Sequence, residues 1–263
     1  MQLKLSPLQN ILGSVVAAGL LMVSAGVQAL PFQLTIQPIN VCDNSGLNCG
    51  NPAENVFLAE TQKIWAQAGI DVTFLAFNQL NNTSFLSIDE DNLTPAPSLA
   101  DLAFGFGNQQ NADPTVINMY FVDDIDAAGS GTTFGIAFVN GNGIAIADEI
   151  FTGLGRIDTI AHEIGHNLGL SHSDLGMDAN YLMRAGNSRN VPGDIDDIAP
   201  GPDNFFDQLT GPQIATAQGS GFVTENEEVI LPEPAGIAAM LTGLLLMIAV
   251  VRFFPAPAAV RRA

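Results

Sequence analysis

Histidine is scarce in this 263-residue chain: His162, His166 and His172 are all there is. Cationic side chains are nearly as rare, with eight Lys and Arg against 27 Asp and Glu and a formal net charge of −19. So few cations argue against nucleic acid or an anionic membrane surface as a partner. Solubility, bound divalent cations or salty surroundings all suit such a surface, and composition does not choose among them. Cysteine is limited to Cys42 and Cys49, which flank a short loop containing Asp, Asn and Gly. In an exported chain two such cysteines form a local disulfide, with a metal-binding or latency role as the alternative. There are no internal repeats, and the length allows one domain or two small ones.

Scarcity turns into concentration in one place. All three histidines fall within the eleven residues His162-Glu163-Ile164-Gly165-His166-Asn167-Leu168-Gly169-Leu170-Ser171-His172. Two histidines four apart project from one face of a helix and reach a single metal ion. Gly169 tolerates the left-handed conformation that ends a helix, and the turn it permits returns His172 to the same ion. Three neutral imidazoles with an open fourth position describe a catalytic zinc site rather than a closed structural one. Glu163, beside the first ligand, is placed to take a proton from water held there. The bland alternative is a buried helix with ordinary histidines, which has no reason to gather every histidine of the chain.

The HExxHxxGxxH pattern resembles the zinc signature of the metzincin metallopeptidases, whose second mark is a methionine-containing turn downstream. Tyr181-Leu182-Met183-Arg184 matches that turn, which places Met183 under the site as a packing floor. The resemblance implies an α/β catalytic domain over residues 30–223, with a mixed twisted sheet, a long helix and a zinc-binding helix. A small C-terminal subdomain would hold the Met-turn and a final helix. It also implies an edge strand on the upper rim of the cleft, placed at Gly143, Ile144, Ala145, Ile146 and Ala147, pairing with the backbone of a protein or peptide substrate. Ser173 follows the third histidine as in matrixins. There is, however, no fourth histidine for their second zinc and no cysteine-switch segment, and Ala185 stands where astacins and serralysins carry a tyrosine. The subfamily stays open.

Periodicity supplies the scaffold. Phe32 to Val41 alternates as a strand, Asn51-Pro52-Ala53-Glu54 predicts the start of a helix that ends at Gly69, and Asp71 to Phe77 predicts a second strand. Trp65 on that helix is assigned to the core. Residues 78–114 read as a long polar connection with a short helix near Leu99. Thr115 to Val122 predicts a buried strand, and Phe134 to Val139 and Ile144 to Asp148 predict two strands joined by the Asn140-Gly141-Asn142-Gly143 hairpin turn. The zinc helix is expected to begin near Arg156 to Asp158, with Asp158 as N-cap or first-turn acid. Thr210-Gly211-Pro212-Gln213 predicts a capping box opening a last helix. Asp123, Asp124 and Asp126, and later Asp194, Asp196, Asp197, Asp203 and Asp207, are either solvated loops or calcium sites.

The ends add a location. Residues 1–29 hold Lys4, an apolar run from Ile11 to Val27 and the small-x-small pattern Val27-Gln28-Ala29, expected as a signal peptide for signal peptidase, with a membrane anchor as alternative. Thr224 to Leu231 is an acidic linker. In residues 232–263, Pro232-Glu233-Pro234 precedes an apolar helix at 235–251 and then Arg252, Arg261 and Arg262. This resembles the PEP-CTERM sorting tail of Gram-negative bacteria and implies processing by an exosortase-type enzyme and delivery to the cell surface or extracellular matrix. It departs from that pattern in the stretch Phe253 to Val260; a plain transmembrane anchor is the alternative. Either way the membrane is touched only through the tail. Between residues 30 and 234 four basic residues face all 27 acidic ones, a formal charge of −23. The expected protein is an exported zinc endopeptidase; the alternative is a non-catalytic surface or biofilm-matrix protein on the same fold.

Overall fold

A computed structural model describes residues 30–226, apart from 90–95, 106, 127–132, 153–155, 173–177, 187 and 201–205. The signal segment expected at 1–29, the apolar helix expected at 235–251 and the rest of the tail lie outside the described residues, among which no helix is long and apolar enough to cross a membrane.

The organising element is β1 (Phe32–Cys42), eleven residues buried along most of their length. On one side it pairs in parallel with β2 (Ile70–Phe74) and then, further along, with β3 (Asn78–Asn81). On the other side it pairs in parallel with β5 (Val116–Val122) and antiparallel with β9 (Val223–Glu225). Beyond β5 come β8 (Ile144–Ala147), parallel to it, and β7 (Gly135–Ala137), antiparallel to β8. The order β2-β1-β5-β8-β7 gives a mostly parallel sheet with one antiparallel edge. A separate two-stranded sheet joins β4 (Ser87–Asp89) and β6 (Asp124–Asp126).

Alternation sorts the core onto two faces. Leu34, Ile36, Ile117, Met119, Phe121, Ile144 and Ile146 turn to one face, covered by α1 (Leu58–Ala66) through Ile64 and Trp65 and by α3 (Thr159–Asn167) through Ile160, Ala161 and Ile164. Ile39, Val41, Tyr120, Val122, Ala145 and Ala147 turn to the other, covered by α2 (Leu99–Phe104) through Leu99 and Leu102. Strands buried on both faces are continuous apolar runs, as β5 and β8 are. The expected mixed α/β class is found, and α4 (Gly211–Gln218) opens with the expected Thr210–Gln213 capping box and proline in its first turn. Cys42 and Cys49 are disulfide-bonded.

Two expectations change. The helix predicted from Asn51 starts only at Leu58, so it spans nine residues rather than a long run. Asn51 is taken up elsewhere. Its N–H donates to Asn40 Oδ1 (2.9 Å) and its carbonyl accepts from Asn40 Nδ2 (2.7 Å), while its side chain closes a local turn with Asn55. Glu54 and Phe57 then adopt positive φ of 52° and 44°, outside the helical region. The connection 78–114 is also more ordered than its polarity suggests: it holds β3, β4 and α2, the last fixed by a Ser98–Asp101 capping box.

The Asn40–Asn51 exchange is buried, with Asn40 7% and Asn51 1% exposed. Asn40→Leu leaves both main-chain groups of Asn51 without partners, and an unpaired buried polar group costs about 1–3 kcal/mol. Guanidinium unfolding is expected to show a loss of about 2 kcal/mol or more.

Candidate metal centre and cleft

The three histidines meet. His162 and His166 project from the same side of α3, and the helix ends where Gly169 takes φ +92°. Leu170 N then donates to Gly165 O (2.9 Å), folding the chain back so that His172 faces the pair. One ligand atom from each imidazole lies within 4.8 Å of the others, and among the described residues this is the converging group of His, Cys, Asp or Glu found. His162 Nδ1 is 2.6 Å from Leu182 O, and His166 Nδ1 is 2.8 Å from Leu170 O. Each contact fixes the tautomer with Nδ1–H donating, which leaves Nε2 to turn inward. His162 and His172 approach Nε2 to Nε2 at 3.0 Å. Three neutral nitrogens at this spacing fit a tetrahedral zinc ion with one position open.

Electrostatics keeps those rings neutral. Burial pushes the His162 pKa well down, followed by the positive charge of Arg189 and then His166. Burial lowers His166 as well, and His172 is lowered by burial and then by Arg189. Neutral imidazole is the ligating form.

Asp158 has a different role from the one expected. It makes no side-chain cap on α3. Its Oδ2 instead accepts from Arg189 Nε and Nη2, both at 2.8 Å, in an ion pair with side chains 3% and 0% exposed. The remaining guanidinium nitrogen donates to Arg184 O (3.2 Å) and lies 2.9 Å from His162 Nδ1. The guanidinium charge, this close to the ring, adds to burial in disfavouring the imidazolium. Nothing local in the sequence marks Arg189, 31 residues beyond its partner.

Met183 is fully buried beneath α3, and its sulfur sits so close to Gly165 that a side chain there would strike it. Glu163, 6% exposed, lines a cleft of about 410 Å³ with His162, His166 and His172. The opposite wall is Ser98 to Ala100 at the start of α2 and Gly135 to Val139 of β7 and its extension. A Cβ on Gly135 would lie 2.7 Å from Glu163 Cγ, so only glycine lets the strand approach the carboxylate this closely. Asn167 ties the wall to the helix, its Nδ2 donating to Phe138 O (2.8 Å) and Gly143 O (3.1 Å).

This arrangement corrects the rim. Gly143, Ile144, Ala145, Ile146 and Ala147 are not an edge: β8 is hydrogen-bonded to β5 on one side and β7 on the other, and Ile144 to Ala147 are fully buried. Among the described residues, the open edge beside the cleft belongs to β7. The sequence shows two adjacent strands there, and their order in the sheet is a long-range property.

Residues 68–173 match the model of the reprolysin-like metallo-peptidases of family M12B. The matched stretch runs from the end of α1 to just past His172. No curated protein matches the chain. Among solved structures, an archaemetzincin from Methanopyrus kandleri is 14% identical over 75% of this chain and 97% of its own, with a TM-score of 0.44. An archaemetzincin from Archaeoglobus fulgidus in complex with malonate is 20% identical over 70% and 99%, with a TM-score of 0.36. A zinc-dependent peptidase from Methanocorpusculum labreanum is 13% identical over 69% and 99%, with a TM-score of 0.40.

Asp207, which the sequence places in a solvated or calcium-binding loop, is fully buried. Burial and then the neighbouring Asp158 push its pKa up to about 8, against the opposing pull of Arg189. A carboxyl raised in the folded state binds its proton more tightly there than in the unfolded chain. Its contribution is fullest below the unfolded value near 3.8 and is lost as pH rises towards about 8. Across that window the wild type is expected to lose stability relative to Asp207→Asn, as measured by denaturant unfolding of both proteins at several pH values.

Proposed function

We propose that this protein is an exported zinc-dependent endopeptidase. The observation that carries the reading is the joint geometry of the centre. Three imidazoles converge, those of His162 and His166 with their outer nitrogens held by carbonyls, Glu163 stands beside them, and a strand edge borders the same cleft. The match of residues 68–173 to a metallo-peptidase family supports it.

Zinc bound by His162, His166 and His172 would supply Lewis acidity towards water and the scissile carbonyl. The chain's own groups do the rest. A peptide adds to the free edge of β7 as an antiparallel strand, so main-chain groups hold it irrespective of sequence. Gly135 brings that strand against Glu163, which sets the peptide bond beside the carboxylate. Glu163 takes a proton from the attacking water at a carboxylate oxygen and delivers it to the leaving amine nitrogen. Leu182 O and Leu170 O keep His162 and His166 in the ligating tautomer, and Met183 supports the helix from below.

Export and surface sorting belong to the same proposal and rest on the composition of residues 1–29 and 232–263. The acidic surface suits a soluble extracellular enzyme. The competing reading, a non-catalytic surface protein, gives no purpose to the carboxylate of Glu163.

Purified protein is expected to cleave an unfolded protein substrate and to lose that activity with a chelator, regaining it on addition of zinc. Glu163→Gln should keep zinc, measured by metal analysis, and lose about a hundredfold or more in kcat/KM, the scale of a general base. Full activity in that variant rules Glu163 out as the base.

A further inference from the structure

Two of the large apolar side chains left exposed among the described residues adjoin Phe138 of the cleft wall: Phe104, stacked on its ring, is 75% exposed, and Val139, the next residue along the wall, 55%. The two stacked rings have centroids 5.4 Å apart and planes 28° from parallel. The stack is held from behind. A Cβ on Gly141 would lie 2.8 Å from Phe138 Cβ, and one on Gly143, at φ +145°, would lie 2.9 Å from Ala103 Cβ and 3.0 Å from Phe138 Cε2. Both glycines of the hairpin turn are therefore used to seat that ring against α2. Leu99 and Leu102 root α2 in the core below.

Apart from Glu163 and the three histidines, the described residues lining the cleft are uncharged: Ser98, Leu99, Ala100 and the run from Gly135 to Val139. Among the described residues of this wall a charged substrate side chain finds no charged partner, and a large apolar one finds an aromatic surface.

The strand geometry places this surface relative to the bond that is cut. Gly135 lies against Glu163 and marks the reacting position. In an antiparallel pair, residues that follow Gly135 face substrate residues that precede the cleaved bond. Ala137 turns to the α3 face, whereas Ile136 and Phe138 turn to the α2 face. Phe138 comes three residues after Gly135, so it meets a substrate residue about three positions before the cleaved bond.

We propose that Phe104 and Phe138, with Val139 at the rim, form a subsite for a large apolar side chain, aromatic above all, on the N-terminal side of the cleaved bond. This rests on the peptidase reading and deepens it by naming what the substrate must carry.

The test is cleavage-site profiling of a mixed peptide library by mass spectrometry, with the purified wild type, Phe104→Ala and Phe104→Tyr. The ring of Phe104 is mostly exposed, so its truncation leaves the core intact, and circular dichroism checks this. The wild type is expected to enrich Phe, Tyr, Leu or Met about tenfold at one position among roughly the second to fourth residues before the cut, the scale of filling an apolar pocket. Phe104→Ala should bring that enrichment close to background, and Phe104→Tyr should keep it. Cleavage without such enrichment, or enrichment unchanged in Phe104→Ala, overturns the subsite and leaves the peptidase reading standing. Failure of the wild type to cleave any peptide overturns both.

Discussion

The contact between Leu182 O and His162 Nδ1, 2.6 Å long, is the constraint on which the centre depends. It joins the first half of the site, on α3, to the second, which returns beneath it some twenty residues later. Because it occupies the outer nitrogen of His162, it decides which nitrogen faces the cleft. It also fixes where the next residue goes: Met183 can only pass under α3, and Gly165 is the position that leaves it room. The equivalent contact at His166 comes from Leu170, which is available because Gly169 turns the chain. The two ligands on the helix are thus held by backbone that the helix itself does not contain.

Below this lies a buried ionic group that stabilises little and positions much. Removing the charges of Asp158 and Arg189 from water costs several kcal/mol per ion, and their attraction roughly offsets it. Their directional effect is clearer. The guanidinium fork is satisfied by Asp158 at the head of α3 and by Arg184 O next to Met183. The helix start and the turn below it therefore share one rigid fastening, and its positive charge adds to burial in keeping the neighbouring rings uncharged.

How much of this was legible depends on range. The converging histidines, the place of Glu163 beside them, the turn at Gly169 and the place of Met183 beneath the helix could be found because they follow a fixed local spacing, and β5 and the hairpin because short apolar runs bounded by turn residues read as strands. The Thr210–Gln213 cap was visible for the same reason, its two partners being three residues apart. The start of α1 was misjudged because Asn51 satisfies a strand residue eleven positions back rather than the helix that its neighbours suggest. Asp158 looked like a cap since its true partner is far along the chain. The open edge was assigned to β8 instead of β7 because order in a sheet is settled by pairing among distant strands. Asp207 shares the composition of a solvated loop, and only packing shows it to be buried.

Asn167 has a further consequence. By donating to Phe138 O and Gly143 O at once, it grips both arms of the hairpin from the helix that carries the ligands. The hairpin cannot slide along its own axis without breaking that grip, so the edge offered by β7 stands in one fixed phase relative to the centre. Hydrogen bonding along a strand repeats every two residues, and a shift of one turns every side chain to the opposite face. A slip of one residue along the hairpin would present the opposite set of side chains beside the centre, and the asparagine at the end of the helix is what prevents it.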